Sequence, residues 1–209
     1  IETGKAATPA PMPPIDASTY ECVTTLDRLD HWIAEATKAG VVGFDTETDS
    51  LEAVTARLVG FSLATAPGTA CYVPLAHGGT DMFAEKPEQI PLDAALARLK
   101  PLLEDASVLK VGQNLKYDMS VLRQHGLTIA PFDDTMVMSF ALDAGRQGHG
   151  MDELSELWLG HEPISYKSLT GTGKSQIGFA EVPLAEATKY AAEDADVTLR
   201  LWHHLKLRL

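Results

Sequence analysis

The chain has 209 residues, which suits one domain or two small ones and suffices to bury a hydrophobic core. Its ordinary globular composition contains no run of about eighteen apolar residues, which excludes a membrane span, and two cysteines exclude a disulfide framework, so we expect a cytoplasmic protein. The net charge of −12 disfavours nucleic-acid binding unless divalent cations or a separate basic domain reverse the local field.

The first half of the chain predicts a linker followed by strands and one helix. Residues 1–19 include a Pro/Ala-rich run and predict an extended linker, with the folded domain spanning 20–209. Thr24 is expected to cap a helix that ends at Gly40. Short turns between the later strands predict an antiparallel meander. The predicted strands are 20–23, 41–45, 58–64 and 70–75.

Helices dominate the second half of the chain. Apolar residues recur there at helical spacing, and Asn114 is expected to cap one helix with its side chain. A strand at 107–111 interrupts the helices, so the chain predicts a mixed sheet covered by helices. The predicted helices are 92–104, 114–125, 134–142, 151–159 and 184–207.

Two carboxylates follow the first predicted core strand. Asp45 and Glu47 are two residues apart, so an extended strand directs both side chains to the same face. Their mutual repulsion would be relieved by a hard cation, which prefers oxygen ligands. A solvated strand end is the alternative interpretation of this pair.

Two further carboxylates stand on predicted helices. Asn114 and Asp118 are four residues apart, as are Tyr190 and Asp194, so each pair shares a helix face. Taken singly, Asp118 could be a helix-dipole partner. The segment around Asp194 could likewise be an exposed acidic helix.

Three features receive no functional role from the sequence. Residues 171–175 look like the end of a phosphate-binding loop, but Ser168 stands where that motif requires glycine. We therefore interpret the segment as a loop. Glu193 and Asp196 project elsewhere around their helix than Asp194 does, and they are expected to be solvated.

The three motifs occur in an order that resembles the tyrosine-bearing (DEDDy) branch of the DnaQ-like exonuclease superfamily. Segments 44–51, 110–118 and 190–196 are similar to the proofreading domain of bacterial DNA polymerase I, of family A. The resemblance covers about residues 20–209. It implies an α/β, ribonuclease H-like fold, in which an antiparallel meander and parallel strands form a mixed sheet flanked by helices.

The resemblance also implies a metal-dependent site. Asp45, Glu47, Asp118 and Asp194 would hold two Mg²⁺ or Mn²⁺ ions, with Zn²⁺ as an alternative in one position. Tyr190 and Glu47 would orient the attacking water, because a tyrosine hydroxyl is a poor base at neutral pH. The implied reaction is 3′→5′ hydrolysis of DNA, releasing nucleoside monophosphates.

A single-stranded DNA 3′ end is the implied substrate. Leu51 would wedge against the terminal bases and Thr46 would contact the terminal nucleotide. Core packing is the alternative for Leu51. The residues expected to line the path of the strand are Gln113, Asn114, Tyr117 and Phe179, the last of which could also be a core residue.

Two other functions share these sequence features. An exoribonuclease resembling RNase D would use the same catalytic residues, and a non-enzymatic scaffold could guide a primer end. Degenerate scaffolds normally lose a carboxylate, and none is missing here. We favour a monomeric fragment of a larger polymerase, with the polymerase domain in cis, no membrane partner and a location in the bacterial nucleoid.

Overall fold

A computed structural model describes residues 12–78 and 87–209, so most of the predicted linker lies outside the described residues. Within these ranges the strands form one mixed sheet of six, in the order β1-β4-β3-β2-β5-β6. The mixed α/β sheet expected from the sequence is confirmed. The strands are β1 (Glu21–Cys22), β2 (Val41–Thr48), β3 (Leu58–Ala66), β4 (Thr69–Pro74), β5 (Leu109–Gly112) and β6 (Phe132–Asp134).

Strand pairing follows the predicted meander. β2, β3 and β4 are antiparallel neighbours, whereas β5 and β6 continue the sheet in parallel beyond β2. Gly68 has a φ of 81° in the turn between β3 and β4, a conformation that favours glycine. The sequence did not predict β6, because a strand of three residues is too short to show an alternating pattern.

Helices cover both faces of the sheet. The helix α6 was not predicted, since its five residues carry no helical periodicity. None of the helices in the described ranges combines the length and apolarity that crossing a membrane requires. The helices are α1 (Leu26–Ala39), α2 (Leu92–Glu104), α3 (Lys116–Arg123), α4 (Thr135–Asp143), α5 (Met151–Leu159), α6 (Tyr166–Thr170) and α7 (Leu184–Lys206).

Two predicted helix caps are wrong. The hydroxyl of Thr25, not that of Thr24, accepts the capping hydrogen bond of α1. Asn114 does not cap α3 with its side chain but takes a left-handed backbone conformation, with φ 56°. The Asp134 carboxylate instead accepts hydrogen bonds from the backbone amides of Asn114 and Leu115, at N···O distances of 3.1 and 2.8 Å. A carboxylate distant in sequence thus accepts the hydrogen bonds of the backbone amides that precede α3.

The close approach of α7 to the sheet brings the middle of α7 onto β2. On one face, α1 and α2 pack over β2 and β3 around Phe44 and Leu99. On the other face α7 crosses β2 at Gly43, where a Cβ atom would lie 2.5 Å from the carbonyl oxygen of Ala195. Glycine is therefore required for this contact, which positions the acidic residues of α7.

Residues 12–19 pack against α7, whereas the sequence predicts an extended linker for this segment. Ile15 contacts the cluster formed by Leu154 of α5 and the apolar residues of α7. Arg200 donates a hydrogen bond from Nη1 to the carbonyl oxygen of Pro13, at 2.5 Å. The side chain of Ile15 and the carbonyl oxygen of Pro13 thus attach this segment to the rest of the domain. The composition of the segment does not indicate either contact.

Candidate active site

A cleft of about 670 Å³ opens at the carboxyl end of β2. The end of β2 and the turn after it form one side, the start of α3 forms a second, and α6 with α7 forms the third. The cleft therefore collects residues from all three acidic motifs. Its lining consists of residues 45–51, Gln113, Asn114, Tyr117, Asp118, Tyr166, Lys167, Gln176, Tyr190 and Asp194.

Three carboxylates meet in this cleft. Asp45, Glu47 and Asp194 each offer one oxygen, and these atoms all lie within 4.8 Å of one another. Alternation along β2 directs Asp45 and Glu47 to the same face. Asp194 reaches them from α7. Glu47 is buried, so the solvated strand end that the sequence left open does not describe this pair.

The fourth carboxylate, Asp118, belongs to the first turn of α3. It is buried, and its Oδ1 accepts hydrogen bonds from the backbone amide of Thr46 at 3.0 Å and from the Thr46 hydroxyl at 2.5 Å. These bonds fix α3 against β2. They also occupy the Thr46 hydroxyl, which the sequence expected to face the terminal nucleotide.

Burial and mutual repulsion disfavour the charged forms of these acids. Burial first, then the charges of Asp118, Glu47 and Asp194, raise the pKa of Asp45 well above its ordinary value. The pKa of Glu47 is raised by burial and by Asp194. Burial raises the pKa of Asp118 to about 7. Four carboxylates with raised pKa values form a site that requires positive charge when all are ionised.

The chemistry of the donors fits a hard divalent cation. Among residues 12–78 and 87–209, the buried Oε1 of Glu47 has no hydrogen-bond partner. An unpaired buried carboxylate oxygen is unfavourable unless a cation or another donor approaches it. The cleft lining contains oxygen donors but no histidine or cysteine. Such a set suits Mg²⁺ or Mn²⁺ better than metals that prefer nitrogen or sulfur ligands.

The raised pKa values predict a specific pH dependence of stability. Between its ordinary value of 3.8 and its folded value of about 7, Asp118 holds more protons in the folded chain than in the unfolded chain. Stability without metal should therefore fall as pH rises from about 5 to 8, and Mn²⁺ should raise the melting temperature more at pH 8 than at pH 6. Thermal unfolding in EDTA and in Mn²⁺ measures both effects. Asp118→Asn should flatten the EDTA curve, and an EDTA curve that rises with pH would contradict the prediction.

Tyr190 lies beside Asp194 at the floor of the cleft. Burial, and next the Asp194 charge, raise the pKa of the Tyr190 hydroxyl far above its ordinary value. The hydroxyl therefore keeps its proton at neutral pH and can only act as a donor or acceptor of hydrogen bonds. The ring of Tyr190 packs 5.8 Å from that of Phe179 and 6.1 Å from that of Tyr166, measured between centroids.

Phe179, which was predicted to line the path of the strand, lies behind the cleft, and a different aromatic residue stands in the cleft wall. Phe179 is fully buried among Tyr72, His77 and Tyr190, so it supports the cleft from behind and does not line it. Tyr166, which the sequence analysis missed, is 39% exposed and stands in the cleft wall with its ring stacked on Phe179. Only its aromatic character could have suggested it.

Other predicted contacts lie at the mouth of the cleft. Leu51 is 97% exposed, which excludes the core position that the sequence left open for it. The hydroxyl of Tyr117 donates a hydrogen bond to the carbonyl oxygen of Ser50 and also bonds to the Thr48 hydroxyl. Tyr117 thereby orders the turn that presents Leu51. Asn114 is also in the lining.

Gln113 lines the cleft, but its side-chain amide is already paired. Its Nε2 donates to the carbonyl oxygen of His149 at 2.8 Å, and its Oε1 accepts a hydrogen bond from Thr135. These bonds tie β5 to α4 and to the segment before α5. In this arrangement the Gln113 amide holds the cleft wall together, and the aliphatic part of the side chain remains available for contacts in the cleft.

The expectation that Glu193 and Asp196 are solvated is wrong. Glu193 is 2% exposed and Asp196 is 0% exposed. Asp196 accepts hydrogen bonds from the Tyr20 hydroxyl at 2.7 Å, the Gly68 amide at 2.9 Å and Arg200 Nε at 3.0 Å. Spacing along α7 shows only that these acids face away from Asp194. It does not show that segments distant in sequence cover that side of the helix.

Residues 171–175 form no phosphate-binding loop. Gly173–Ser175 is a short 3₁₀ helix that follows α6, whereas a phosphate-binding loop follows a buried strand. The loop interpretation made from the sequence is therefore correct. Gln176, directly after this turn, belongs to the cleft lining.

Acidic residues gathered at the end of a central strand in a ribonuclease H-like sheet define a metal-dependent nuclease. Comparison with known families is consistent with this class. The profile of a family described as 3′-5′ exonuclease matches residues 20–209, and the chain belongs to this family. The predicted 3′→5′ exonuclease activity is thereby confirmed.

Sequence relatives are DNA polymerases. The chain is 54% identical over 209 residues to DNA polymerase I of Rhizobium leguminosarum, covering 94% of this chain and 21% of that protein. It is 42% identical over 212 residues to DNA polymerase I of Pseudomonas aeruginosa, covering 100% of this chain and 22% of that protein. The chain thus spans about a fifth of the length of these relatives.

Solved structures share the fold at low sequence identity. Brucella melitensis NrnC with bound Mg²⁺ superposes with a TM-score of 0.62 at 23% identity, covering 91% of this chain and 79% of that one. Escherichia coli RNase D, an exoribonuclease, superposes with a TM-score of 0.61 at 20% identity, covering 90% of this chain and 44% of that one. These likenesses establish the ribonuclease H-like fold.

Proposed function

We propose that this domain removes nucleotides one at a time from single-stranded DNA 3′ ends, using two bound Mg²⁺ or Mn²⁺ ions, and that it proofreads for a DNA polymerase I. The observation that carries the proposal is the carboxylate cluster of Asp45, Glu47 and Asp194 inside a cleft whose lining also includes Leu51 and Tyr166. The identity of 54% to a DNA polymerase I supports DNA as the substrate.

Each acidic residue would contribute an oxygen ligand to the cations. Asp45, Glu47 and Asp194 would share the ions, and Asp118 would complete the set from α3. Bound divalent cations supply activation of water and stabilisation of the charge on the departing 3′ oxygen. Zn²⁺ is an alternative for one position.

Tyr190 and Glu47 would position the attacking water. Tyr190 keeps its proton at neutral pH, so its hydroxyl can donate a hydrogen bond to the water oxygen but cannot remove a proton. The free Oε1 of Glu47 can accept a hydrogen bond from the same water or ligate a cation. Both roles require that the two side chains stay fixed, which their burial among packed residues provides.

The cleft walls favour an unpaired strand end. Leu51 on one side and Tyr166 on the other offer apolar and aromatic surface to a base. Such surfaces accept any base, so no sequence preference follows. Thr46, Gln113, Asn114 and Tyr117 would border the strand, whereas Phe179 would act only by supporting Tyr166.

Truncation of Tyr166 tests this assignment. Because stacking of a base on an aromatic residue contributes about 1–3 kcal/mol, Tyr166→Ala should raise KM for a single-stranded oligonucleotide by about fivefold to a hundredfold. Tyr166→Phe keeps the ring and should stay within about twofold of wild type. Steady-state rates across oligonucleotide concentrations measure both. An unchanged KM in the alanine variant would remove Tyr166 from the strand path.

The setting of the domain is also part of the proposal. We infer a domain of residues 20–209 with a polymerase domain in the same chain; of the predicted linker 1–19, residues 12–19 pack against α7 and so adjoin this domain. The whole is expected to be monomeric and to act in the cytoplasm at the bacterial nucleoid. The two curated relatives compared above are about five times longer than this chain, which supports a further domain in cis.

A direct comparison of DNA and RNA tests the substrate assignment. Oligonucleotides of one sequence, synthesised as DNA and as RNA, would be incubated with the chain in Mg²⁺ and in Mn²⁺. The proposal predicts faster shortening of DNA. Much faster degradation of RNA would favour an exoribonuclease, and inactivity on both, with metal binding lost as well, would favour a scaffold.

A further inference from the structure

Glu193 precedes Asp194 on α7 but is not part of the cleft lining. Its side chain is buried, and each carboxylate oxygen accepts a different hydrogen bond. Oε1 lies 3.0 Å from Nε2 of His161, and Oε2 lies 2.6 Å from the backbone nitrogen of Ile164. Both partners belong to the segment 160–165, which connects α5 to α6. Glu193 therefore holds this segment against α7.

The far end of the same segment carries the cleft wall. Tyr166 begins α6 two residues after Ile164, and its ring lies 6.1 Å from that of Tyr190. At the near end, Ser155 Oγ of α5 donates to the carbonyl oxygen of His161 at 2.8 Å. The segment is thus fixed to α5 by hydrogen bonds at its first two residues and to α7 by the two bonds of Glu193. The bonds to α7 set the distance between Tyr166 and the helix that bears Asp194.

We propose that Glu193 is a positioning residue that fixes the α6 wall of the cleft and thereby sets its grip on the 3′ end of a single strand. This inference rests on the proposed function. Glu193 touches neither the carboxylate cluster nor the substrate path in this account. Its effect passes through the backbone of Ile164 to Tyr166.

Methionine removes both hydrogen bonds at nearly the same side-chain length. Glutamine would not, because its oxygen can accept from the Ile164 amide while its N–H group donates to His161 Nε2 in the imidazole tautomer that carries the proton on Nδ1. Glu193→Met leaves the Ile164 amide and His161 without their acceptor. The matched control is Glu186→Met on the same helix, where the carboxylate is exposed and, among the described residues, pairs with Lys189.

The experiment combines hydrogen exchange with kinetics on single-stranded DNA. In Glu193→Met, amide exchange at Ile164 and across α6 should accelerate at least about tenfold, while exchange in the sheet stays unchanged. KM for the oligonucleotide should rise about tenfold, with kcat within about twofold of wild type. Glu186→Met should match wild type in every measurement.

Three results would overturn the inference. Unchanged exchange at Ile164 would show that the bonds do not hold the segment. A uniform rise in exchange across the sheet would show a merely structural role, and a fall in kcat at constant KM would place Glu193 in the chemistry. Should Glu193→Met fail to fold, His161→Ala removes one bond at a partly exposed position and should give a smaller effect of the same kind. If wild type leaves DNA intact, the proposed function fails, whereas the exchange data still decide whether Glu193 positions α6.

Discussion

Asp45→Asn should reduce exonuclease activity by at least about three orders of magnitude while stabilising the metal-free domain. Activity falls because the amide is a poor ligand for a divalent cation and the cluster acts as a unit. Stability rises because one of several buried like charges disappears; the pKa of Asp45 is raised by burial and by Asp118, Glu47 and Asp194. The expected gain is roughly 1–2 kcal/mol in EDTA at pH 8.

Initial rates on a single-stranded oligonucleotide and denaturant unfolding in EDTA measure the two effects on the same samples. Glu156→Gln is the matched control, because it makes the same acid-to-amide change on the exposed side of α5. It should leave activity and stability close to wild type. A variant of Asp45 that loses activity together with stability would indicate a damaged fold, and it would contradict the assignment of Asp45 to a strained metal site.

The largest loss of stability should follow Asp196→Ala, at about 3–5 kcal/mol. Removal of this carboxylate leaves Arg200 as a buried cation without its ionic partner, and it deprives the Tyr20 hydroxyl and the Gly68 amide of their acceptor. Urea unfolding at neutral pH measures the difference in free energy. Because Asp196 is outside the cleft, the folded fraction should retain its metal affinity.

A double variant separates the cost of the unpaired Arg200 charge from the other effects of removing the Asp196 side chain. Asp196→Leu combined with Arg200→Met removes both charges, so it should recover much of the stability that Asp196→Ala loses. A loss below about 1 kcal/mol in the single variant would mean that the pair behaves like one on the surface. That result would contradict the burial of both side chains.

The grouping of the proposed catalytic residues could be predicted because their geometry is local. Alternation along a strand suffices to place Asp45 beside Glu47, and a spacing of four on a helix places Tyr190 beside Asp194. These relations hold wherever the element lies in the fold. The order of the motifs then identified the family, and with it the way that β2, α3 and α7 meet.

The missed residues depend on contacts between distant segments. Nothing in the spacing of α7 shows that Tyr20 and the turn after β3 cover Asp196, or that the segment before α6 covers Glu193. Tyr166 and Phe179 are both aromatic, and only packing distinguishes the one in the cleft from the one behind it. When other segments cover two sides of a helix, the apolar periodicity of its sequence does not show which of its polar residues are buried.

The most direct test of the account is the pattern of products from a single-stranded DNA oligonucleotide labelled at its 5′ end. With Mg²⁺ or Mn²⁺, the wild-type chain should give a ladder that shortens from the 3′ end in steps of one nucleotide. EDTA or Asp194→Asn should abolish that ladder. Cleavage at internal positions, loss of the 5′ label as a mononucleotide, or undiminished shortening in EDTA would contradict a metal-dependent 3′→5′ exonuclease.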